Sequence, residues 1–282
     1  MIREIYPEDN GYPLYLKLIP SYPKKLYYIG DEKLFQTKAV AIVGTRNASE
    51  YGKEVAYQIA KLLVENNVTV VSGMAIGIDA AAHRGAVENG GKTVAVLGSG
   101  VDVIYPYQNR KLYEEICETG LVISENKPGT EPRSFLFPNR NRIISGLSFA
   151  TIVVEAGIRS GSTITARFAS EQGRAVYAIP GNINRQYSVG TNKLIQDGVS
   201  PVISLNGLIS DLGLNNLAIS EKEKKLGEDE KKVYLIIKRE GEITASLIAN
   251  ELKKELSFVL GIISVLEMKG FIGTEFGKVF CL

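Results

Sequence analysis

The sequence predicts an α/β protein: a doubly wound, mostly parallel sheet with helices on both faces, followed by a small C-terminal unit. Three observations carry this. Short Val- and Ile-rich runs alternate with helix-period stretches in a repeating β-then-α order. The runs are continuously apolar rather than alternating, as in strands covered on both faces. Glycines follow one strand after another, as turns at the rim of such a sheet require. A chain of 282 residues suits one large domain plus a small one.

Taken in order, residues 1–38 form a Tyr/Pro-rich lead expected to pack on the large domain, which spans 39–215. Its strands are predicted at 39–43, 69–72, 93–97, 121–124, 151–155 and 175–179. The clearest helix covers 50–65, with Val55, Ile59, Leu62 and Leu63 on one face. Asn47 with Glu50 reads as a capping box at its start. Residues 216–230 are charge-dense and poor in large apolar side chains, which reads as a linker. From 231 to 282, helical period at 231–239, 244–252 and 256–269 precedes two short strands around 275–278. That is the order of a winged helix, a helix-turn-helix relative, or of a plain three-helix unit.

Hydrophobic residues make up 45% of the chain and charged residues 23%, near globular averages, which disfavours disorder, collagen and a disulfide scaffold. Cys117 and Cys281 lie far apart outside any C-x-x-C pattern, and there is one His, so no metal site is expected. The first twenty residues carry acids and prolines without the apolar core of a secretory signal. No window approaches the ~18 apolar residues of a membrane span. The expectation is a cytoplasmic protein without a membrane partner.

Candidate chemistry sits in the glycine turns: Gly44 in IVGTR, Gly73 and Gly77 in SGMAIGID, Gly98 and Gly100 in LGSG, and Gly157 and Gly161 in EAGIRSGST. The carboxyl ends of parallel strands form the ligand crevice, and helix N-termini there hold anions, so four such turns point to a phosphate-bearing ligand. The competing reading is that glycine merely ends strands and opens tight turns. Neither a G-x-G-x-x-G fingerprint after the first strand nor a G-x-x-x-x-G-K-[ST] loop is present, which argues against dinucleotide and nucleoside triphosphate cofactors. No cofactor is expected.

The 33 basic and 31 acidic residues nearly cancel, yet between Arg133 and Lys193 eight basic residues face only Glu155 and Glu171, a local excess of six. Seven of the eight are arginines, whose planar fork suits phosphate. Within that stretch, SFLFPNRNRIISGLS places Phe135 and Phe137 before a proline read as the first helical residue, with Arg140, Asn141 and Arg142 in the first turn. Cations oppose the helix dipole there, which favours a neighbouring anion. An aromatic beside arginines also fits a base-stacking platform, although Phe135 and Phe137 read equally well as core.

Enzyme machinery is sparse. Asp79 and the single His, His83, stand four residues apart in GIDAAAHRGA without a nucleophile elbow, and read as support for the helix beneath the crevice.

Together, IVGTR (42–46), SGMAIGIDAAAHRGA (72–86), VLGSGVDVIYP (96–106), SENKPGTEPRSFLFPNRNRIISGLS (124–148), VVEAGIRSGSTITARFASEQGR (153–174) and IPGNINRQYSVGTNKLIQDG (179–198) resemble the DprA/Smf family of DNA-processing proteins. The C-terminal unit is similar to that family's winged-helix appendage, whereas the helical module that often begins family members is not recognised before the first strand. The resemblance implies an extended Rossmann-like domain that binds single-stranded DNA, protects it during natural transformation, loads the RecA recombinase and forms a homodimer. It implies phosphate-binding positions at Gly44, Thr45, Arg46, Gly73, Arg140, Asn141, Arg142, Ser160, Gly161, Ser162 and Lys193, with Phe137 as base-stacking residue. The alternative class, nucleotide-binding or nucleotide-hydrolysing enzymes of the LOG or lysine-decarboxylase-like fold, uses a P-G-G-x-G-T-x-x-E motif where this chain reads EAGIRSGSTITARFASE. The C-terminal unit's third helix offers no arginine, so partner docking is expected of it rather than base reading.

Overall fold

A computed structural model describes residues 1–214, 226–275 and 277–281. The chain divides into two compact units, Met1–Leu214 and Asn215–Leu282. Among the described residues the first holds a nine-stranded sheet in the order β1-β2-β6-β5-β4-β3-β7-β8-β9. Seven strands form its parallel part: β3 (Ala39–Val43), β4 (Thr69–Ser72), β5 (Thr93–Val96), β6 (Leu121–Ser124), β7 (Ala150–Val153), β8 (Ala175–Ala178) and β9 (Ser200–Pro201). The chain winds outward from β3 to β6, returns, and winds the other way from β7. The reversal places a switch point between the carboxyl ends of β3 and β7, where open sheets of this kind carry their ligands.

Continuous apolar character has the expected cause. Within β3, Ala39, Ala41 and Val43 enter one core while Val40 and Ile42 enter the other, so every residue of the strand is buried. Helix α2 (Glu50–Glu65) covers the second core with Ile59 and Leu63. Its start corrects the capping expectation. Ser49 is the N-cap, its Oγ accepting from Gly52 N at 3.0 Å, while the Asn47 amide donates to the Tyr187 hydroxyl at 3.1 Å. Ser49 stands at the position from which a hydroxyl reaches the third helical N–H.

The N-terminal lead does more than pack. β1 (Arg3–Ile5) and β2 (Leu26–Gly30) extend the sheet antiparallel beyond β6, a pairing the sequence reading missed. Between them the short helix α1 (Leu14–Lys17) buries Leu16 against the first core, with Tyr12 and Ile19. Gly146 admits this contact, since a Cβ there would stand 2.8 Å from the Leu16 methyl.

The remaining helices of the first unit are α3 (Ile78–Val87), α4 (Arg110–Thr119), α5 (Leu136–Leu147), α6 (Gly161–Glu171), α7 (Val189–Gln196) and α8 (Leu205–Asp211). The second unit runs α9 (Glu228–Glu240), β10 (Glu242–Ile243), α10 (Ala245–Leu252), α11 (Leu256–Met268), β11 (Ile272–Glu275) and β12 (Lys278–Cys281), with sheet order β10-β12-β11. That is a winged-helix order around a core including Val233, Ile237, Val259 and Leu266. Most of the predicted linker, 216–225, lies outside the described residues. Its last residues are helical instead: α9 starts at Glu228, and Glu228, Asp229 and Glu230 fill a first turn where acids complement the dipole. Among the described residues no helix is long and apolar enough to cross a membrane.

Candidate nucleic-acid interface

The turn after β3 is held open by sterics. Gly77, at φ +83°, lies so close that a Cβ would stand 2.4 Å from the Thr45 carbonyl oxygen, so only glycine lets the start of α3 pass beneath Gly44–Arg46. Thr45 N donates to the Glu155 carbonyl at 2.7 Å and its Oγ1 accepts from Asn47 N at 3.2 Å, which fixes the turn across the switch point. Arg46 leaves it exposed, with its guanidinium 5.2 Å from the centre of the Phe137 ring. Among the described residues it joins no hydrogen bond or ion pair.

A cavity of about 570 Å³ opens there. Of the predicted positions it gathers Gly44, Thr45, Arg46, Asp79 and Phe137. Arg140, Asn141, Ser160, Gly161 and Ser162 complete its walls. Ser160 caps α6, its Oγ accepting from Ser162 N at 3.3 Å, so the cavity wall includes the N-terminus of an 11-residue helix and its outward N–H groups. Gly73 lies behind, in an adjoining hollow of about 70 Å³ shared with Arg46, Tyr105, Phe137 and Arg140.

Several predicted phosphate ligands have other work. The α5 helix begins at Leu136, so Pro138 is its third residue and Arg140, Asn141 and Arg142 fall in the second turn, not the first. The dipole argument therefore does not apply to them. Arg140 is 7% exposed and donates to the carbonyls of Gly73, at 2.7 Å, and Val96. Burial pushes its pKa down to about 10, with Asp79 opposing that shift. Gly73 makes the room, since a Cβ there would lie 2.6 Å from the guanidinium and 2.7 Å from an Asp79 oxygen. Asn141 donates to the Gly161 carbonyl at 3.0 Å and ties α5 to the start of α6.

Arg142 does not face the cavity. Positions 137, 140, 141 and 144 share one helix face, and 142 lies about 200° beyond 140. There it makes a pair with Glu125, both carboxylate oxygens accepting from Nη2 at 2.8 and 2.7 Å. Lys193, on α7, is exposed and pairs with Asp197 at 2.9 Å, away from the cavity lining. The arginine-rich stretch is consequently not one patch: Arg167 also pairs with Glu171, and Arg174 donates to the Tyr15 carbonyl.

Phe137 is part of a stack. Tyr105 lies 5.6 Å away with planes 30° apart, and its ring is 41% exposed at the cavity edge. Sequence reasoning missed Tyr105. The available signal was its place in VLGSGVDVIYP, after the glycines that follow β5.

Both nearby acids are structural. Asp79 is buried, its Oδ2 accepts from Ala75 N at 3.3 Å, and burial raises its pKa against the pull of Arg140. Glu155 accepts from Ser49 N at 2.9 Å and Ser49 Oγ at 2.5 Å, so its carboxylate occupies the start of α2. In a dinucleotide-binding sheet that position holds pyrophosphate. Here a protein anion fills it. Ser49→Ala removes both the cap and a ligand of a buried carboxylate; urea denaturation is expected to show a loss of about 2 kcal/mol.

His83, fully buried, does not meet Asp79. Its Nδ1 lies 2.7 Å from Thr93 Oγ1, whose own proton goes to the Val70 carbonyl, so Nδ1 carries the imidazole hydrogen. Burial, aided by Arg140, holds its pKa down at about 3, so the ring is neutral.

Fold and site thus define a class: an open doubly wound α/β protein whose switch-point cavity offers a free cation, aromatic rings and a helix N-terminus, with the usual cofactor position closed. The model of the DNA recombination-mediator protein A family matches residues 3–213, and the chain belongs to that family. It is 45% identical over 203 residues to the DNA processing protein DprA of Streptococcus pneumoniae, covering 72% of each chain. With the protein Smf of a Synechocystis strain it shares 43% identity over 224 residues, which cover 78% of this chain and 56% of that relative. The crystal structure of the S. pneumoniae protein aligns with a TM-score of 0.71 at 44% identity over 74% of each chain. A Helicobacter pylori DNA processing protein A, described for its single-stranded DNA binding mode, aligns at 0.69 and 32% identity over 75% of this chain and 95% of its own.

Proposed function

We propose that the switch-point cavity binds the sugar-phosphate backbone of single-stranded DNA and that the protein is a recombination mediator, delivering such strands to RecA in the cytoplasm as a homodimer. One observation carries this: Arg46, a cation without a protein partner among the described residues, stands over an aromatic ring at the mouth of a cavity walled by a helix N-terminus. A guanidinium free to take a phosphate beside rings able to stack a base is the pairing that single strands need. Family membership and the single-strand binding described for the H. pylori relative support the same reading. The role is binding rather than catalysis, since Asp79 and Glu155 serve the fold and no other acid lines the cavity among the described residues.

The test is a salt titration comparing single- and double-stranded DNA. The single strand is expected to bind tighter, with log affinity falling by about 0.7 per phosphate contact for each tenfold rise in salt. Equal affinity for the duplex would overturn the proposal.

A further inference from the structure

A second cavity, of about 790 Å³, lies on the same rim at the carboxyl ends of β7 and β8. It is separated from the first by a single turn: Arg46 lines one and Asn47 the other. Its outer wall is the loop 180–188, whose backbone is pinned. The Asn192 amide clasps Gly181, accepting from its N–H at 3.1 Å and donating to its carbonyl at 2.8 Å. Arg185 N donates to the Asn182 carbonyl at 3.0 Å, and Ala156 N to the Tyr187 carbonyl at 2.6 Å.

Tyr187 on this fixed loop accepts from the Asn47 amide at 3.1 Å, while four polar side chains beside it are uncommitted. Among the described residues Asn182, Asn184, Arg185 and Gln186 are exposed and enter no side-chain hydrogen bond or ion pair. Tyr51, 61% exposed, and Tyr187 add two rings to the lining. The one acid there, Glu155, is engaged by Ser49. Solvation alone would account for polar side chains on a loop, but not for their assembly with two rings around a concavity on a pinned backbone.

The chemistry is that of a nucleotide subsite. Amides pair with base edges, aromatic rings stack on base faces, and a free guanidinium takes phosphate. We infer that this second cavity receives the base of a further nucleotide of the bound strand, with Arg185 on its phosphate, so that the strand crosses the β3 turn from one cavity to the other. The inference rests on the single-strand reading above.

Two measurements on the full chain test it. A thymidine oligomer about twenty nucleotides long, long enough to exceed one site, is substituted with 5-iododeoxyuridine and photocrosslinked. Adducts are expected on peptides containing Tyr51 or Tyr187; adducts confined to other peptides overturn the inference. The variant Asn184→Ala, Arg185→Ala, Gln186→Ala is expected to bind the same oligomer about tenfold more weakly, with the salt slope reduced by about 0.7 and the thermal midpoint unchanged. If it binds like the wild type while Arg46→Ala does not, the second subsite alone is refuted. If the wild type fails to bind the oligomer, the parent reading falls instead.

Discussion

Arg46→Ala is expected to weaken single-strand binding by roughly 10- to 100-fold, the equivalent of the ~1.5–3 kcal/mol of a hydrogen bond to a charged group. The salt slope should fall by about 0.7, one phosphate contact fewer. Folding stability should hardly change, because the side chain is exposed and its contact with the Phe137 ring is worth about 0.5–1 kcal/mol at such a site. Arg142→Ala is the informative control. Its guanidinium is tied to Glu125 on another face of α5, so affinity should be unaffected. Fluorescence anisotropy over a salt series reads both. An Arg46 variant that binds normally would remove the cavity from consideration.

The second large effect concerns stability. His83 has a folded pKa of about 3 against an ordinary value of 6.5, so between those limits the unfolded chain binds a proton that the native one refuses. Stability contributed by the neutral ring is complete above about pH 6.5 and lost as pH falls toward 3, at up to ~1.4 kcal/mol per unit. Asp79 acts with the opposite sign, since a carboxyl whose folded pKa is raised favours the native state as it protonates. Comparison with His83→Gln isolates the histidine, because the glutamine amide retains a donor for Thr93 and cannot titrate. Between pH 6.5 and 5 the wild type should lose about 2 kcal/mol more than the variant in urea denaturation. Parallel pH profiles would show that the ring is not held neutral.

Much of the fold was legible because burial on both faces writes itself into composition. β3, β4, β6 and α2 lie where the apolar runs and helical period placed them. β1 and β2 were not, since a three-residue strand and a short tyrosine-rich one carry no period of their own and form by pairing, β1 on β2 and β2 on β6. At the site, the glycine turns located the crevice, because close backbone approach needs glycine whatever the side chains do. Net charge misled. Counting arginines along 133–193 cannot tell that Arg140 is a strut beneath Gly73, that Arg142 faces Glu125, or that Lys193 answers Asp197. Those facts depend on helical phase and on partners distant in sequence. The role of Glu155 was hidden for the same reason, since its partner Ser49 is 106 residues away.

The switch-point cavity has one further property, which comes from topology. It sits on the rim of an open sheet, at the carboxyl ends of the paired strands β3 and β7, from which the chain winds away in opposite directions. The sheet of this unit does not close around the site. A strand bound there as proposed would be taken up sideways at an internal position, without a free end, and released the same way. On the single-strand reading proposed above, such a rim would take hold of a circle or a gap between two duplexes as readily as a severed tail.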